Sequence, residues 1–307
     1  MALVPRAIRN TTVGCAAASA IATAAAGKAT TIHRTATTNL YFAPESSNYQ
    51  SLQAQLSRNF DNGFGFTTAF TWGKGMGYIS GGSDADSGGL LFYINLRRNY
   101  APNDYDRALN FEQTFTYALP FGPGARHLNS GVASQVLGGW KISGVISTVS
   151  GLPFTVVANA TSLNTPGTTQ TATLSAPYRV LHGIGTNSHW FDSASFTQPG
   201  GCPAAPTVCT AANVGLGNTG RNQFRGPGYI QDNISLFKNF KVWRETNLET
   251  RIDAFQLSNT PQFANPNVSS ITAGNFGQVT STVGSGQGSV NGVGGGRSLQ
   301  ASAKFTF

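Results

Sequence analysis

The sequence predicts an all-β fold, an antiparallel transmembrane β-barrel, from its composition, its residue alternation and its connection lengths. Of 307 residues, 20 are Lys or Arg and 12 are Asp or Glu, so charged residues make up 10%, against about 25% in a typical soluble domain. Hydrophobic residues make up 40%, and the mean hydropathy is -0.13. No run of about 18 apolar residues occurs, which excludes a bundle of membrane helices.

Alternation of apolar and polar residues with a period of two defines the predicted strands. In the first, Leu52, Ala54 and Leu56 share one face and polar side chains occupy the other. The turn Asp61-Asn62-Gly63 then precedes a second alternating run, which is typical of a β-hairpin. Each segment has about the 9–11 residues that a tilted strand needs to cross a membrane. The predicted strands cover residues 50–60, 64–73, 109–119, 138–149, 229–240, 247–258 and 297–307, with a less regular eighth at Leu40–Phe42.

The connections between these strands alternate in length. Every second connection is shorter than its neighbours: the shorter ones are 61–63, 120–137 and 241–246, and the longer ones are 74–108, 150–228 and 259–296. Outer-membrane barrels have short turns on the periplasmic side and long loops outside, whereas a soluble sandwich has no reason to sort its loops in this way. The pattern therefore predicts a protein of the cell outer membrane, with its last residue on the periplasmic side.

Charged residues of the predicted strands fall on the face opposite the large apolar residues. A charge on the lipid face near the midplane costs about 2–4 kcal/mol, so we expect these side chains to face the lumen: Glu112, Lys141, Glu249, Arg251, Asp253 and Lys304. Glu249, Arg251 and Asp253 point inward together, where they can pair. A sheet with one solvated face gives the same alternation, and that alternative stays open. Arg58 and Lys238 have lipid-face parity, and we expect them to snorkel to headgroups near the periplasmic ends.

Aromatic residues near the predicted strand ends fit the girdles of a membrane barrel. They are Trp72, Tyr117, Trp140 and Phe307. The alternative is that they belong to a β core, because aromatic residues favour strands in any case.

The N-terminal 38 residues are predicted to be a leader or an unstructured extension. Arg6 and Arg9 precede an Ala-rich stretch, and Ala24-Ala25-Ala26 resembles a signal-peptidase site, although the apolar region is weak. Cys202 and Cys209 lie close together in a Pro-rich loop, where they form either a local disulfide in an oxidising compartment or two free thiols.

Motifs that carry chemistry are weak or missing, so the sequence predicts no enzyme activity and neither a cofactor nor a metal site. Gly215–Gly220 matches G-x-G-x-x-G, but Gly226-Pro227-Gly228 follows where the fingerprint needs a helix. The loop 81–89 offers two carboxylates, too few for a strong calcium site. His182 and His189 can approach each other but have no third ligand. Nucleic acid is excluded as a partner because the basic residues form no contiguous run.

Seven motifs occur in an order that resembles one family. They are NYQSLQAQLSRNFDNGFGFTTAFTWGKG, LPFGPG, VLGGWKISGVISTVSGLPFTV, RNQFRGPGYIQDNISLFKNF, NTPQFANPN, FGQVTS and the terminal KFTF. Together, over about residues 39–307, they resemble the C-terminal barrel region of TonB-dependent outer-membrane receptors, specifically the Oar-like group. The resemblance implies a barrel of about 22 strands that takes up scarce nutrients.

The chain departs from this family at its N-terminal end. Residues 1–38 resemble neither a lumen-filling plug nor a TonB-contacting segment, and seven or eight strands are only a portion of such a barrel. The resemblance therefore implies the C-terminal portion of a receptor barrel, with outer-membrane lipid as its surroundings and the remaining strands supplied by another chain. The last strand resembles the signal read by the barrel assembly machinery, and its signal residues are Leu299, Ala301, Ala303, Phe305 and Phe307.

Three functions follow as expectations. The first is an outer-membrane receptor or transporter for nutrients, without the plug-dependent step in this polypeptide. The second is a small autonomous barrel with an adhesin or structural role, since eight strands leave an interior just filled by side chains. The third is a secreted soluble β-sandwich that binds a ligand.

Overall fold

Seven long antiparallel strands form the main body of the chain. The computed structural model describes residues 46–61, 63–78, 95–122, 127, 130–158, 170–200, 215–243, 246–283 and 296–307, all within the compact unit Pro44–Phe307. The strands are β1 (Ser47–Asp61), β2 (Phe64–Gly77), β3 (Leu109–Ala118), β4 (Trp140–Val149), β5 (Tyr229–Trp243), β6 (Thr246–Phe255) and β7 (Ser298–Thr306). They pair in sequence order, and the short strand Ala101–Pro102 adds to β2. The seven regular predicted strands are confirmed, while the eighth at Leu40–Phe42 lies outside the described residues.

Smaller elements occupy the connections. A helix, α1 (Gly131–Leu137), lies between β3 and β4, and single 3-10 turns cover Leu96–Asn99 and Ser193–Ser195. Three pairs of two-residue strands join Pro153–Phe154 to Phe224–Arg225, Val157–Ala158 to Gln170–Thr171, and Thr173–Leu174 to Phe196–Thr197. Among the described helices, none has the length and apolar character needed to cross a membrane.

The β1–β2 hairpin is as tight as the sequence predicts. Asp61 is opposite Phe64, and Gly63 has a φ of 83°, in the left-handed region that glycine adopts at little cost. The other short turn joins β5 to β6. We call the end of the sheet with these turns the turn end, and the opposite end the long-loop end.

The register places the large apolar side chains on one face of the sheet. Across the first three strands, Trp72 of β2 is opposite Leu52 of β1 and Leu109 of β3. Further along, Leu236 of β5 is opposite Ile142 of β4, and both belong to the same face. We call this the apolar face and its opposite the polar face. The predicted parity of each strand is confirmed, because a slip of one residue would have moved a whole strand to the wrong face.

Exposure on the apolar face is the reverse of that in a soluble protein. The side chains of Leu56, Trp72 and Leu299 are 64%, 59% and 69% exposed. A contiguous apolar surface of this kind marks contact with a membrane or a partner.

The buried core lies in the long loops instead. Residues from the β4–β5 and β6–β7 connections pack into one aromatic cluster, which we call the cap core: Phe154, Val156, Ala158, Ala172, Trp190, Phe191, Phe196, Phe224, Phe276 and Val279. Phe191 contacts Phe196 and Phe276 edge to face, with ring centroids 5.2 and 5.4 Å apart. The two loops therefore fold as one body at the long-loop end.

Among the described strands, the sheet keeps two edges, β1 and β7. Each strand is antiparallel to its neighbours, so β1 and β7 both run from the long-loop end to the turn end.

Candidate functional site

The polar face carries a closely bonded charged group on β5 and β6. The Nε of Arg251 donates to Oδ1 of Asp253 at 2.7 Å, and its Nη2 donates to the Ser235 hydroxyl at 3.0 Å. The Ser235 hydroxyl in turn donates to Asp253. Arg251 and Asp253 therefore pair as the alternation indicates, and Glu249 lies opposite Lys304 of β7.

The other predicted lumen-facing charges also lie on the polar face. Glu112 is opposite Ala69 and Ser147. The ammonium of Lys141 lies 5.7 Å from the centre of the Phe60 ring. A β-bulge between Arg58 and Asp61 interrupts the regular parity of β1 next to Phe60.

Lys238 corrects one expectation. It has apolar-face parity, as predicted, but it does not extend to headgroups: its side chain is buried, and its ammonium donates to the Val136 carbonyl of α1 at 3.0 Å. The same ammonium lies 4.5 Å from the Phe240 ring centre and 5.7 Å from that of Trp140. A cation near a helix C-terminus is favourable, so α1 receives a charge that the lipid face would otherwise carry.

Asp232 is another apolar-face charge, which the sequence reasoning missed. Its two carboxylate oxygens accept hydrogen bonds from the amide and the hydroxyl of Ser258, both at 2.9 Å. It lies at the long-loop end of β5, where this loop contact satisfies the charge.

Two arginines and an asparagine lock the cap core to the 95–108 segment. Arg221 is buried and donates to the carbonyl oxygens of Asn99 at 3.0 Å and Gly77 at 2.6 Å. The next residue, Asn222, donates to the Pro102 carbonyl at 2.7 Å. Backbone groups more than one hundred positions apart in the chain are therefore held together by neighbouring side chains.

Arg225 completes this lock through a buried carboxylate. It forms an ion pair with Asp106, and Oδ1 of Asp106 also accepts the Gly75 amide at 2.6 Å. From the opposite direction, Arg98 donates to the carbonyl of Gly217 at 2.6 Å. We call the four residues Arg98, Arg221, Asn222 and Arg225 the cap clamp.

Burial changes the pKa of two arginines of the cap clamp. Desolvation lowers the pKa of Arg221, and the nearby Asp104 carboxylate opposes that shift. Desolvation also lowers the pKa of Arg98. Both guanidinium groups donate to several carbonyl oxygens, which compensates part of the cost of burying the charge.

A cleft of about 420 Å³ opens at the long-loop end of the polar face, and we call it the mouth cleft. Its floor is formed by polar-face residues of β2, β3 and β4, which are Thr71, Asn110 and Val149. One wall is the start of β1 with Tyr49, and the other is the 103–107 turn with Tyr105. A Cβ at Gly73 would lie 2.8 Å from the Tyr49 hydroxyl, so the glycine leaves the room that this ring occupies.

The charged groups of the mouth cleft are already bonded. Asp106 pairs with Arg225 and accepts the Gly75 amide. Arg107 donates to the Ser150 carbonyl at 2.6 Å, and its guanidinium lies 4.9 Å from the Tyr229 ring centre. Desolvation lowers the pKa of Arg107, and the interaction with Tyr229 opposes this. The groups left to meet a ligand are neutral amides and phenols.

The glycine motif and the histidine pair that the sequence analysis considered both have structural roles. Gly215–Gly220 is a loop that continues into a turn and not into a helix, and a Cβ at Gly217 would lie 1.8 Å from the Thr171 carbonyl oxygen. His182 packs edge to face on Trp190 at 4.9 Å, while the backbone of His189 bonds to Gly183. Among the described residues, no group of three His, Cys, Asp or Glu residues could hold a metal ion.

Other predicted residues are exposed or undescribed. The side chain of Phe307 is 97% exposed, and Leu299, Ala301, Ala303 and Phe305 share the apolar face of β7. Of the predicted girdle residues, Tyr117, Trp140 and Phe307 lie near the turn end, and Trp72 lies towards the long-loop end, opposite Leu109. Cys202, Cys209, the loop 81–89 and residues 1–38 lie outside the described residues.

The whole arrangement has the features of one known family. The polar and apolar residues of the sheet lie on opposite faces, the apolar face is exposed, and the long loops lie at one end of the strands. The outer membrane beta barrel domain family matches residues 5–300 of the chain. The chain belongs to this family. No curated protein and no solved structure is significantly similar to it.

Membership in the outer membrane beta barrel domain family settles the location of the protein. The protein is an antiparallel barrel protein of the cell outer membrane. In barrels of this kind an apolar face contacts lipid and a polar face lines the lumen. In such barrels the long loops are extracellular and the short turns periplasmic. The secreted soluble β-sandwich is excluded.

The cap clamp and the mouth cleft are the parts of the site that sequence reasoning missed. Their partners lie 119 to 122 positions apart in the chain for Arg98, Arg221 and Arg225, and no local pattern reveals such pairs. A usable signal did exist, because Arg221 and Arg225 are charged residues within a Gly-rich loop of a chain that has few charges.

Proposed function

We propose that the chain is the barrel of an outer-membrane receptor of the TonB-dependent, Oar-like type that takes up scarce nutrients. The observation that carries this proposal is the mouth cleft, a polar recess that opens into the lumen beneath a folded extracellular cap. The seven ordered motifs support the same assignment. One of them, RNQFRGPGYIQDNISLFKNF, contains three cap-clamp residues, Arg221, Asn222 and Arg225.

Loss of the gene tests this proposal directly. A deletion strain should grow more slowly than its complemented parent when iron chelates, cobalamin or oligosaccharides are limiting, and dissipation of the inner-membrane proton gradient should remove the difference. A barrel with only an adhesin or structural role gives equal growth on every limiting nutrient.

We also propose the partners of this receptor. Outer-membrane lipid surrounds the apolar face, and remaining barrel strands on another chain pair with β1 and β7. In lipid an unpaired edge costs several kcal/mol for each backbone group, which favours such a partner. The protein mass of the detergent-solubilised particle, without its bound detergent, tests this proposal. A complex with other strands has a protein mass above the 32.2 kDa of the chain, while a monodisperse single chain contradicts it.

The last strand is the proposed contact with the barrel assembly machinery. Phe307 and the apolar face of β7 are exposed, as a recognition element must be. Deletion of Phe307 is expected to reduce the amount of protein inserted in the outer membrane, measured by fractionation. Insertion equal to that of the wild type contradicts the role.

We propose no enzyme activity and no nucleic-acid partner. The described histidines do not join a nucleophile and a base, and His182 packs on Trp190. The basic residues of the cap clamp are bonded to backbone carbonyls.

A further inference from the structure

The mouth cleft presents two exposed tyrosines that the membrane does not explain. Tyr49 and Tyr105 are 63% and 67% exposed. Tyr49 has lumen-face parity because it is opposite Gly75, so it does not belong to a lipid girdle. Tyr105 is in the 103–107 turn on the other side of the cleft. Two rings left in water on opposite walls of a recess are suited to grip a flat, partly apolar group.

The cleft also holds a polar atom without a partner. Asn103 is 6% exposed, its amide nitrogen donates to the Tyr105 hydroxyl at 3.2 Å, and its backbone amide donates to Gly75 at 3.0 Å. Its side-chain oxygen is buried and accepts no hydrogen bond from any described residue. Such an acceptor is costly to leave unpaired, so it calls for a donor from outside the protein.

The remaining chemistry of the cleft is uncharged. The Asp106 carboxylate is paired with Arg225, and Arg107 is bonded to Ser150 and stacked on Tyr229. A ligand therefore meets the amide of Asn110, the phenols and the Asn103 oxygen. These groups match hydroxyls better than they match carboxylates or ammonium groups. The volume of about 420 Å³ suits a small molecule.

We infer that the mouth cleft binds a neutral saccharide. The sugar ring stacks on Tyr49 and Tyr105, its hydroxyls bond the Asn110 amide, and one hydroxyl donates to the buried oxygen of Asn103. This inference rests on the proposed receptor function, and it names the substrate class of that receptor.

Calorimetry on the protein purified from the outer membrane, with its partners, tests the inference. The probes are maltotriose, cellotriose and triacetylchitotriose, with trigalacturonate and chitotriose as charged counterparts of similar size. We expect saturable binding of at least one neutral trisaccharide and at least roughly tenfold weaker binding of its charged counterparts, because the two charged residues of the cleft, Asp106 and Arg107, are already bonded to Arg225 and Ser150.

Variants locate the binding in the cleft. Tyr49→Ala and Tyr105→Ala should each weaken it by roughly tenfold or more, while Tyr49→Phe keeps the ring and most of the affinity. Tyr117→Ala is the matched control, because Tyr117 is an exposed tyrosine on the lipid face. Asn103→Leu removes the buried acceptor and should also weaken binding.

Three results overturn the inference: no neutral trisaccharide binds at millimolar concentration, the charged probes bind equally well, or the tyrosine variants bind like the wild type. Growth of the deletion strain separates this failure from that of the receptor proposal. A growth defect on a limiting nutrient without saccharide binding leaves the receptor in place and removes the saccharide.

Discussion

Tyr178 is a described residue of the cap whose titration reports on the cap core. Its ring lies 4.5 Å from that of Phe224, and its hydroxyl is buried without a hydrogen-bond partner among the described residues. Desolvation raises its pKa from 10.0 to about 12. Because the folded form holds its proton more tightly than the unfolded form, this residue supports folding below pH 10 and loses that contribution as the pH rises towards 12.

We therefore expect Tyr178→Phe to make the cap more resistant to alkali. The substitution removes the only polar atom of the ring, so stability at neutral pH should change by less than about 1 kcal/mol. Tyrosinate absorbance should lose one late-ionising group, and cap unfolding between pH 10 and 12 should become less steep. An unchanged alkaline titration contradicts the assignment.

Asp106 is the residue on which the cap clamp depends most. Its side chain is 3% exposed and its partner Arg225 is 33% exposed. Removal of one member of a fully buried pair costs about 3–5 kcal/mol, so we expect Asp106→Ala to cost about 2–3 kcal/mol, since water reaches Arg225. Hydrogen exchange of the cap amides measures this loss.

Asp104 provides the matched control for that change. Its carboxylate is 56% exposed and lies 3.8 Å from Arg221. Asp104→Ala should therefore cost less than about 1 kcal/mol. Equal losses in the two variants would mean that the ion pair with Arg225 does not hold the cap.

At the scale of single elements, α1 depends on β5. The helix has only seven residues, too few to be stable alone, and the Lys238 ammonium bonds its Val136 carbonyl. We expect Lys238→Met to speed hydrogen exchange of the α1 amides by roughly tenfold, as the loss of about 1.4 kcal/mol would. Lys241→Met, three positions along the same strand, should leave α1 unchanged. Equal effects of the two variants contradict the contact.

The strands were predictable, and the elements between them were not. In each strand, apolar and polar residues alternate with a period of two, because one face must be apolar in lipid. Leu52, Ala54 and Leu56 are an example. The helix α1 escaped prediction because GVASQVL is short and is stabilised by a lysine about one hundred residues later.

In the site, too, features set by neighbouring residues could be predicted from the sequence, and features set by residues distant in the chain could not. The lumen-facing positions of Arg251 and Asp253 follow from parity alone. The mouth cleft does not, because Tyr49, Asn103 and Asn110 meet only after three strands have paired. The sequence also contains no periodic pattern in 150–228, so the cap core of Phe154, Phe191 and their neighbours could not be foreseen.

At the scale of the whole molecule, the two faces make a sharp prediction about charge. Ala54 is on the lipid face near the middle of β1, and Gln55 beside it is on the lumen face. We expect Ala54→Arg to lower the stability of the membrane-inserted protein by about 2–4 kcal/mol, because the charge would lie near the bilayer midplane. Gln55→Arg should change it by less than about 1 kcal/mol.

Denaturant unfolding in lipid vesicles measures both variants of this pair. Neighbouring positions share their strand, depth and backbone pairing, so only the face differs. Equal costs for the two arginines would show that the sheet does not separate lipid from lumen.

The direction of β1 and β7 has a consequence for how the barrel is sealed. Both strands descend from the outside to the periplasm, so a seam made directly between them would be parallel. The same is true of any seam between two copies inserted with the same orientation, since the described strands of each copy offer only descending edges. An antiparallel seam therefore requires an odd number of intervening strands that begin and end with ascending ones, which brings the total to the even count typical of bacterial outer-membrane barrels.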